Sequence, residues 1–76
     1  MFALRVKNKE EIINFLLSKD IRWNAGQYAD QYDFRYEFIC FYYSIYRRNK
    51  YTIGLSRNLK GKVPISLNVL KYIIKI

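Results

Sequence analysis

The 76-residue chain has no histidine, a single cysteine at position 40 and only three glycines. Histidine is the side chain that most often serves as general base and metal ligand near neutral pH. Its absence, with Cys40 alone, excludes a Cys–His nucleophile pair and the usual Cys/His zinc sites. None of the three glycines belongs to a loop that cradles a phosphate. Asp30, Asp33 and Glu37 supply carboxylates within one polar segment. Three spaced acids are the ordinary make-up of a solvated stretch, so no metal and no other cofactor is expected. Cys40 sits in the run Phe38-Ile-Cys-Phe-Tyr42. It reads as a buried structural thiol, because a reactive one needs exposure and nearby positive charge. The expectation from these residues is binding, not catalysis.

What the sequence does concentrate is positive charge mixed with aromatic rings. The net charge is +8. Residues 1–37 carry equal numbers of cations and anions, whereas residues 38–76 carry eight cations and no acid. The candidate binding residues are Arg47, Arg48, Lys50, Tyr51, Arg57, Lys60 and Lys62. Arg and Lys can neutralise phosphates, and an exposed Tyr can stack on a base. The same composition suits a protein–protein hot spot. The implied partner is a protein or nucleoprotein with an acidic surface, or DNA or RNA directly. The plainer alternative is a charged surface that keeps a Tyr-rich chain dissolved. No run of the sequence approaches the ~20 apolar residues of a membrane span, and Met1–Val6 has no long apolar stretch of an export signal. With no pair of cysteines to form a disulfide, a reducing cytoplasm is the expected setting.

The elements that must position these residues fit in one domain. Phe2–Val6 alternates as a strand does. Asn8 with Glu11 three residues on forms an Asn-x-x-Glu start for a helix over 9–19, with Ile12, Ile13, Phe15, Leu16 and Leu17 as its apolar stripe. Ile21 and Trp23 predict a short strand over 21–24, ended by Asn24 and Gly26. The segment 28–37 reads either as a loop or as a helical turn. Residues 38–46 are strand-forming types throughout, apolar on both faces from Phe38 to Tyr43, as in a strand covered on both sides. Arg47-Arg-Asn-Lys50 reads as a hairpin loop, and 51–56 as the returning strand. A second basic turn, 58–62, precedes Val63-Pro-Ile65, which suits a sheet edge. Ser66 caps a final helix over 67–76, with Leu67, Leu70, Ile73 and Ile74 inward. The expected fold is α+β: a small, mainly antiparallel sheet of three to five strands with two helices. Most of the aromatics are assigned to its core, leaving roughly two or three exposed.

Three short stretches carry a resemblance: Leu4-Arg-Val-Lys-Asn-Lys-Glu-Glu-Ile12, Leu17-Ser-Lys-Asp-Ile-Arg-Trp-Asn-Ala-Gly26 and Val63-Pro-Ile-Ser-Leu-Asn-Val-Leu70. Together they resemble small accessory proteins of bacteriophages infecting low-GC hosts. These run from a strand into a Lys-Glu-Glu helix, a Trp-x-x-Gly turn, a hairpin and a Ser-capped helix. The resemblance covers about half the chain, and the more aromatic 28–50 region departs from it. It implies a setting and not a mechanism: phage accessory genes, which often encode inhibitors of host or defence machinery. With the charge pattern, the leading expectation is a protein of the host cytoplasm that modulates or inhibits a host or defence complex acting on nucleic acid. Direct, nonspecific nucleic-acid binding is one alternative. Another is a histidine-free ribonuclease resembling the ribosome-dependent toxins in size and charge, using Arg47, Arg48, Arg57 and Tyr51. The Arg-and-Tyr strand motif of that family is missing.

Overall fold

The computed structural model describes residues 1–74. Its elements follow the chain as β1 (Phe2–Arg5), α1 (Lys9–Ser18), β2 (Arg22–Trp23), a 3-10 turn (Ala29–Gln31), β3 (Phe38–Tyr43), β4 (Tyr51–Ser56), β5 (Val63–Ile65) and α2 (Leu67–Ile73). The five strands form one sheet in the order β2-β4-β3-β1-β5. The α+β class and the expected elements are therefore present. The sheet is mixed: β1·β3 and β3·β4 are antiparallel, while the edge strands β5 and β2 pair parallel to β1 and β4. The antiparallel pairs carry most of the register.

Local chemistry sets the helix starts. Asn8 Oδ1 accepts from the Glu11 N–H at 3.2 Å, and Ser66 Oγ accepts from the Val69 N–H at 3.2 Å. The Glu11 carboxylate does not close the cap from its side. It reaches Lys71 of α2 instead, at 3.6 Å. Several boundaries are shorter than the sequence suggests. β2 has two residues where the sequence predicts 21–24: Asn24 N–H still reaches the Ile53 carbonyl at 3.0 Å, but the chain turns there, Gly26 N–H bonding the Trp23 carbonyl at 2.8 Å. β3 stops at Tyr43: Ser44 still bonds Lys50 in register, but its carbonyl accepts from the Arg47 N–H at 3.4 Å, where the chain turns. α2 ends at Ile73, with Ile74 as its cap. The remainder of the expected 67–76 helix lies outside the described residues. Ile73 is largely exposed, not inward, while Leu70 and Ile74 are buried.

Strand alternation divides the sheet into two faces. Phe2, Leu4, Ile39, Phe41, Ile53 and Leu55 face one way and join Ile12, Leu16, Leu70 and Ile74 of the helices in the main core. Trp23 anchors one end of it. Its ring meets Phe34 and Tyr32 edge-on at 5.2 and 5.3 Å, and its Nε1–H donates to the Ala29 carbonyl. The 28–37 segment is thereby explained. It is one 3-10 turn followed by irregular backbone, held by aromatic packing around Trp23. The opposite face carries Ala3, Phe38 and Cys40, all buried yet separate from the main core. β3 is thus covered on both sides, as its composition predicts. The Arg5 guanidinium lies over the Phe38 ring at 4.7 Å and pairs with Glu37 at 2.7 Å. No helix among the described residues is long and apolar enough to cross a membrane.

Candidate binding site at the hairpin

β3 and β4 are joined by the loop 44–50. Its backbone closes through Ser44 N–H to the Lys50 carbonyl at 2.7 Å and Lys50 N–H to the Arg47 carbonyl at 3.0 Å. Lys50 adopts a left-handed φ of 66°, and Asn49 is buried with no partner for its Oδ1 among the described residues. Both features are unfavourable for a loop. The loop nonetheless holds a large amphipathic display. Tyr43, Ile45 and Tyr46 are 68%, 63% and 90% exposed. Arg47 and Arg48 follow directly, and no salt bridge among the described residues involves either of them or Lys50.

Arg47 does not point freely into water. Gly26 has a φ of 100°, open to glycine and strained for other residues. A Cβ built there would lie 3.5 Å from Arg47 Nη2, so the guanidinium rests on the turn after β2. The hairpin and the 24–27 turn thus form two walls of one concavity of about 670 Å³, lined by Asn24, Tyr42, Ser44, Tyr46, Arg47 and Thr52, with Tyr43 at its rim. The floor is fixed by side-chain contacts. Thr52 donates its hydroxyl to Asn24 Oδ1. Tyr42 lies across Gly54, where an added Cβ would be 2.9 Å from Tyr42 Cε2. Its Oη is 3.1 Å from the thiol of fully buried Cys40. The contact with Cys40, followed by loss of solvent, pushes the Tyr42 phenol above its usual range.

The expected binding residues separate into groups. Arg47, Arg48 and Lys50 share the hairpin. Arg57 begins the turn at the opposite end of β4, about 20 Å away at ~3.3 Å per residue. There its guanidinium stacks on Tyr36 at 4.8 Å and donates to the phenol at 3.0 Å, which lowers the Tyr36 pKa. Lys60 belongs to the same far turn. Lys62 closes that turn, its N–H donating to the Leu59 carbonyl at 2.9 Å and its Nζ to the Lys60 carbonyl at 3.3 Å, just before β5, which lies three strands across from β4. β4 lies inside the sheet, between β2 and β3, so these cations do not form a stripe along a sheet edge. Tyr51 belongs to the other face: its ring packs edge-on to Phe2 and Tyr43 at 5.3 and 6.3 Å. The tetrad Arg47, Arg48, Arg57 and Tyr51 therefore does not converge.

Sequence reasoning missed Asn24, Tyr42, Tyr46 and Thr52. Tyr42 and Thr52 were visible as alternate positions on facing strands, but Asn24 reaches them only through the parallel β2–β4 pairing. Four Tyr residues between 28 and 51 are exposed, more than expected: Tyr28, Tyr32, Tyr43 and Tyr46. Among the described residues no group of three or more Cys, Asp or Glu side chains converges as a metal site would. In comparison with known proteins, no family model matches the chain, and no similar curated protein or solved structure was found.

Proposed function

We propose that the chain is a non-catalytic binding protein that docks on an anionic partner through its 44–50 hairpin. The observation that carries this reading is the exposure of Tyr43, Ile45 and Tyr46 beside Arg47 and Arg48, in a half of the chain that has no acid. Tyr and Arg dominate the residues that hold protein interfaces together, and they do so where they can be desolvated as a cluster. The uncompensated charge adds long-range attraction to an acidic surface and raises the association rate. The left-handed Lys50 backbone and the buried Asn49 Oδ1, without a partner among the described residues, support the reading, since unfavourable features of this kind collect where a loop is shaped for contact. With the short resemblance to phage accessory proteins, the reading extends to a setting. The partner is a host or defence complex acting on nucleic acid in the host cytoplasm, and occupation of its acidic surface modulates or inhibits it.

The test is affinity capture from bacterial lysate with the wild-type chain and with Arg47→Glu/Arg48→Glu, each with and without nuclease. Arg48 is exposed, Arg47 is half-buried against the Gly26 turn, and neither belongs to the main core or to an ion pair among the described residues, so the variant should fold. A specific complex held by the wild type and lost by the variant is the expected result. Equal capture by both proteins overturns the hairpin as the docking element.

A further inference from the structure

We infer that the concavity between the hairpin and the 24–27 turn seats one unpaired nucleotide of a single-stranded nucleic acid. The inference rests on the hairpin reading above and names the chemistry of the partner there. Three kinds of group meet in this one place. Tyr42 on the floor and Tyr46 on the wall are aromatic faces, and base–aromatic stacking tolerates any base. Asn24 offers an amide. Its Oδ1 is held by Thr52, while its Nδ2, near Gly54, has no acceptor among the described residues and is available to a base edge. Arg47 supplies a cation at the rim, placed by its rest on Gly26, with Arg48 and Lys50 beside it on the same loop.

Charge complementarity decides the occupant. No carboxylate lines the concavity, and no anion occurs anywhere from residue 38 onward. The lining is rings with polar atoms between them, and the exposed aliphatic Ile45 is not part of it. A nucleotide matches that pattern: a flat ring for Tyr42 or Tyr46, edge acceptors for Asn24 Nδ2, and a phosphate for Arg47. A paired and stacked base in a duplex cannot offer its face to a Tyr in a recess, so the site selects single strands. Gly54 lets the Tyr42 ring settle on this face of the sheet, beside Asn24.

Fluorescence anisotropy with labelled single strands of about twelve nucleotides, deoxy and ribo, and with the matching duplex, tests the inference. Single strands of at least one type should bind more tightly than duplex. Tyr46→Ala, at a position too exposed to matter for folding, should weaken that binding roughly five- to a hundred-fold. Asn24→Asp keeps the acceptor for Thr52 but removes the Nδ2 donor. It should change the ranking among homopolymers, a response that a merely structural role would not give. Equal affinity for duplex, or full single-strand binding by Tyr46→Ala, overturns the inference. If single strands fail while lysate capture still depends on Arg47 and Arg48, the nucleotide seat is wrong and the docking hairpin stands. Loss of both strikes at the hairpin reading itself.

Discussion

At position 54 a side chain would collide with Tyr42, and much of the candidate site follows from that. Glycine lets the Tyr42 ring settle over the strand, where it meets the Cys40 thiol and bounds the concavity with Asn24 and Thr52. Gly54→Ala places a Cβ 2.9 Å from the ring and 3.3 Å from Asn24 Nδ2. Overpacking of this kind should destabilise the domain by about 1–3 kcal/mol, read from the denaturation midpoint. Cys40 is fully buried and should react slowly with thiol reagents in the native state. Displacing Tyr42 should speed that reaction, and an unchanged labelling rate would show that the ring does not guard the thiol. Two tyrosines also report on their partners through alkaline titration. Arg57 holds the Tyr36 pKa below its usual value near 10, so Tyr36 contributes stability that grows as pH rises through its folded pKa and is complete above ~10. Contact with Cys40 and burial raise that of Tyr42, whose contribution is complete below ~10 and lost as pH rises through the higher folded value. Phenolate absorbance should therefore lose an early phase in Tyr36→Phe and a late one in Tyr42→Phe. The reverse order would contradict both environments.

At the scale of elements, the site is carried by the central β3–β4 hairpin, and α1 packs on the core face of those strands. Leu16 is fully buried in the core formed by Ile12, Ile39, Ile53 and Leu70. Leu16→Ala should lower stability by about 2–5 kcal/mol, a large part of what a domain of this size possesses. Ser66→Ala, which removes only the cap of α2, should lower it by about 1 kcal/mol. Urea midpoints for the two variants check the ranking, and a cap variant as damaging as the core variant would mean that α2 organises the fold. These elements were legible because their signals are local. Asn8 and Glu11 mark a helix start, residues 38–43 have strand-forming side chains on both faces, and Ser66 caps the last helix. The parallel joining of β2 to β4 was not legible, since it depends on contacts about thirty residues apart, Arg22 to Thr52 and Trp23 to Ile53. The site inherits that limit. Its cations could be read from the sequence, but Asn24 looked like an ordinary turn residue until the pairing placed it beside Thr52 and Gly54. Tyrosine is equally hard to assign by type, because it suits both the core around Trp23 and the open tip at Tyr46.

For the whole molecule, shape and charge together determine the response to salt. The radius of gyration is 11.1 Å, close to the ~11 Å expected of a compact chain of this length, and the longest extent is 26 Å. A net charge of +8 is thus confined within less than one Debye length at ~0.01 M salt, where that length is about 30 Å. Unfolding relieves the repulsion, because the chain then expands to a radius of gyration of roughly 27 Å. Against this stand three ion pairs among the described residues, Arg5–Glu37, Arg22–Asp20 and Lys71–Glu11, all at least partly exposed. Such pairs are worth about 0–1 kcal/mol each and weaken with salt. The diffuse repulsion should win, so stability should rise between about 0.01 and 0.2 M salt. Urea is uncharged and leaves ionic strength unchanged, so its unfolding midpoint at each salt concentration measures the effect directly. A falling midpoint would mean that the local pairs outweigh the net charge. Binding to an anionic partner should move the other way, because salt screens the attraction between that partner and Arg47, Arg48 and Lys50. Salt should therefore firm the fold while loosening the complex, which separates the electrostatics of folding from that of docking.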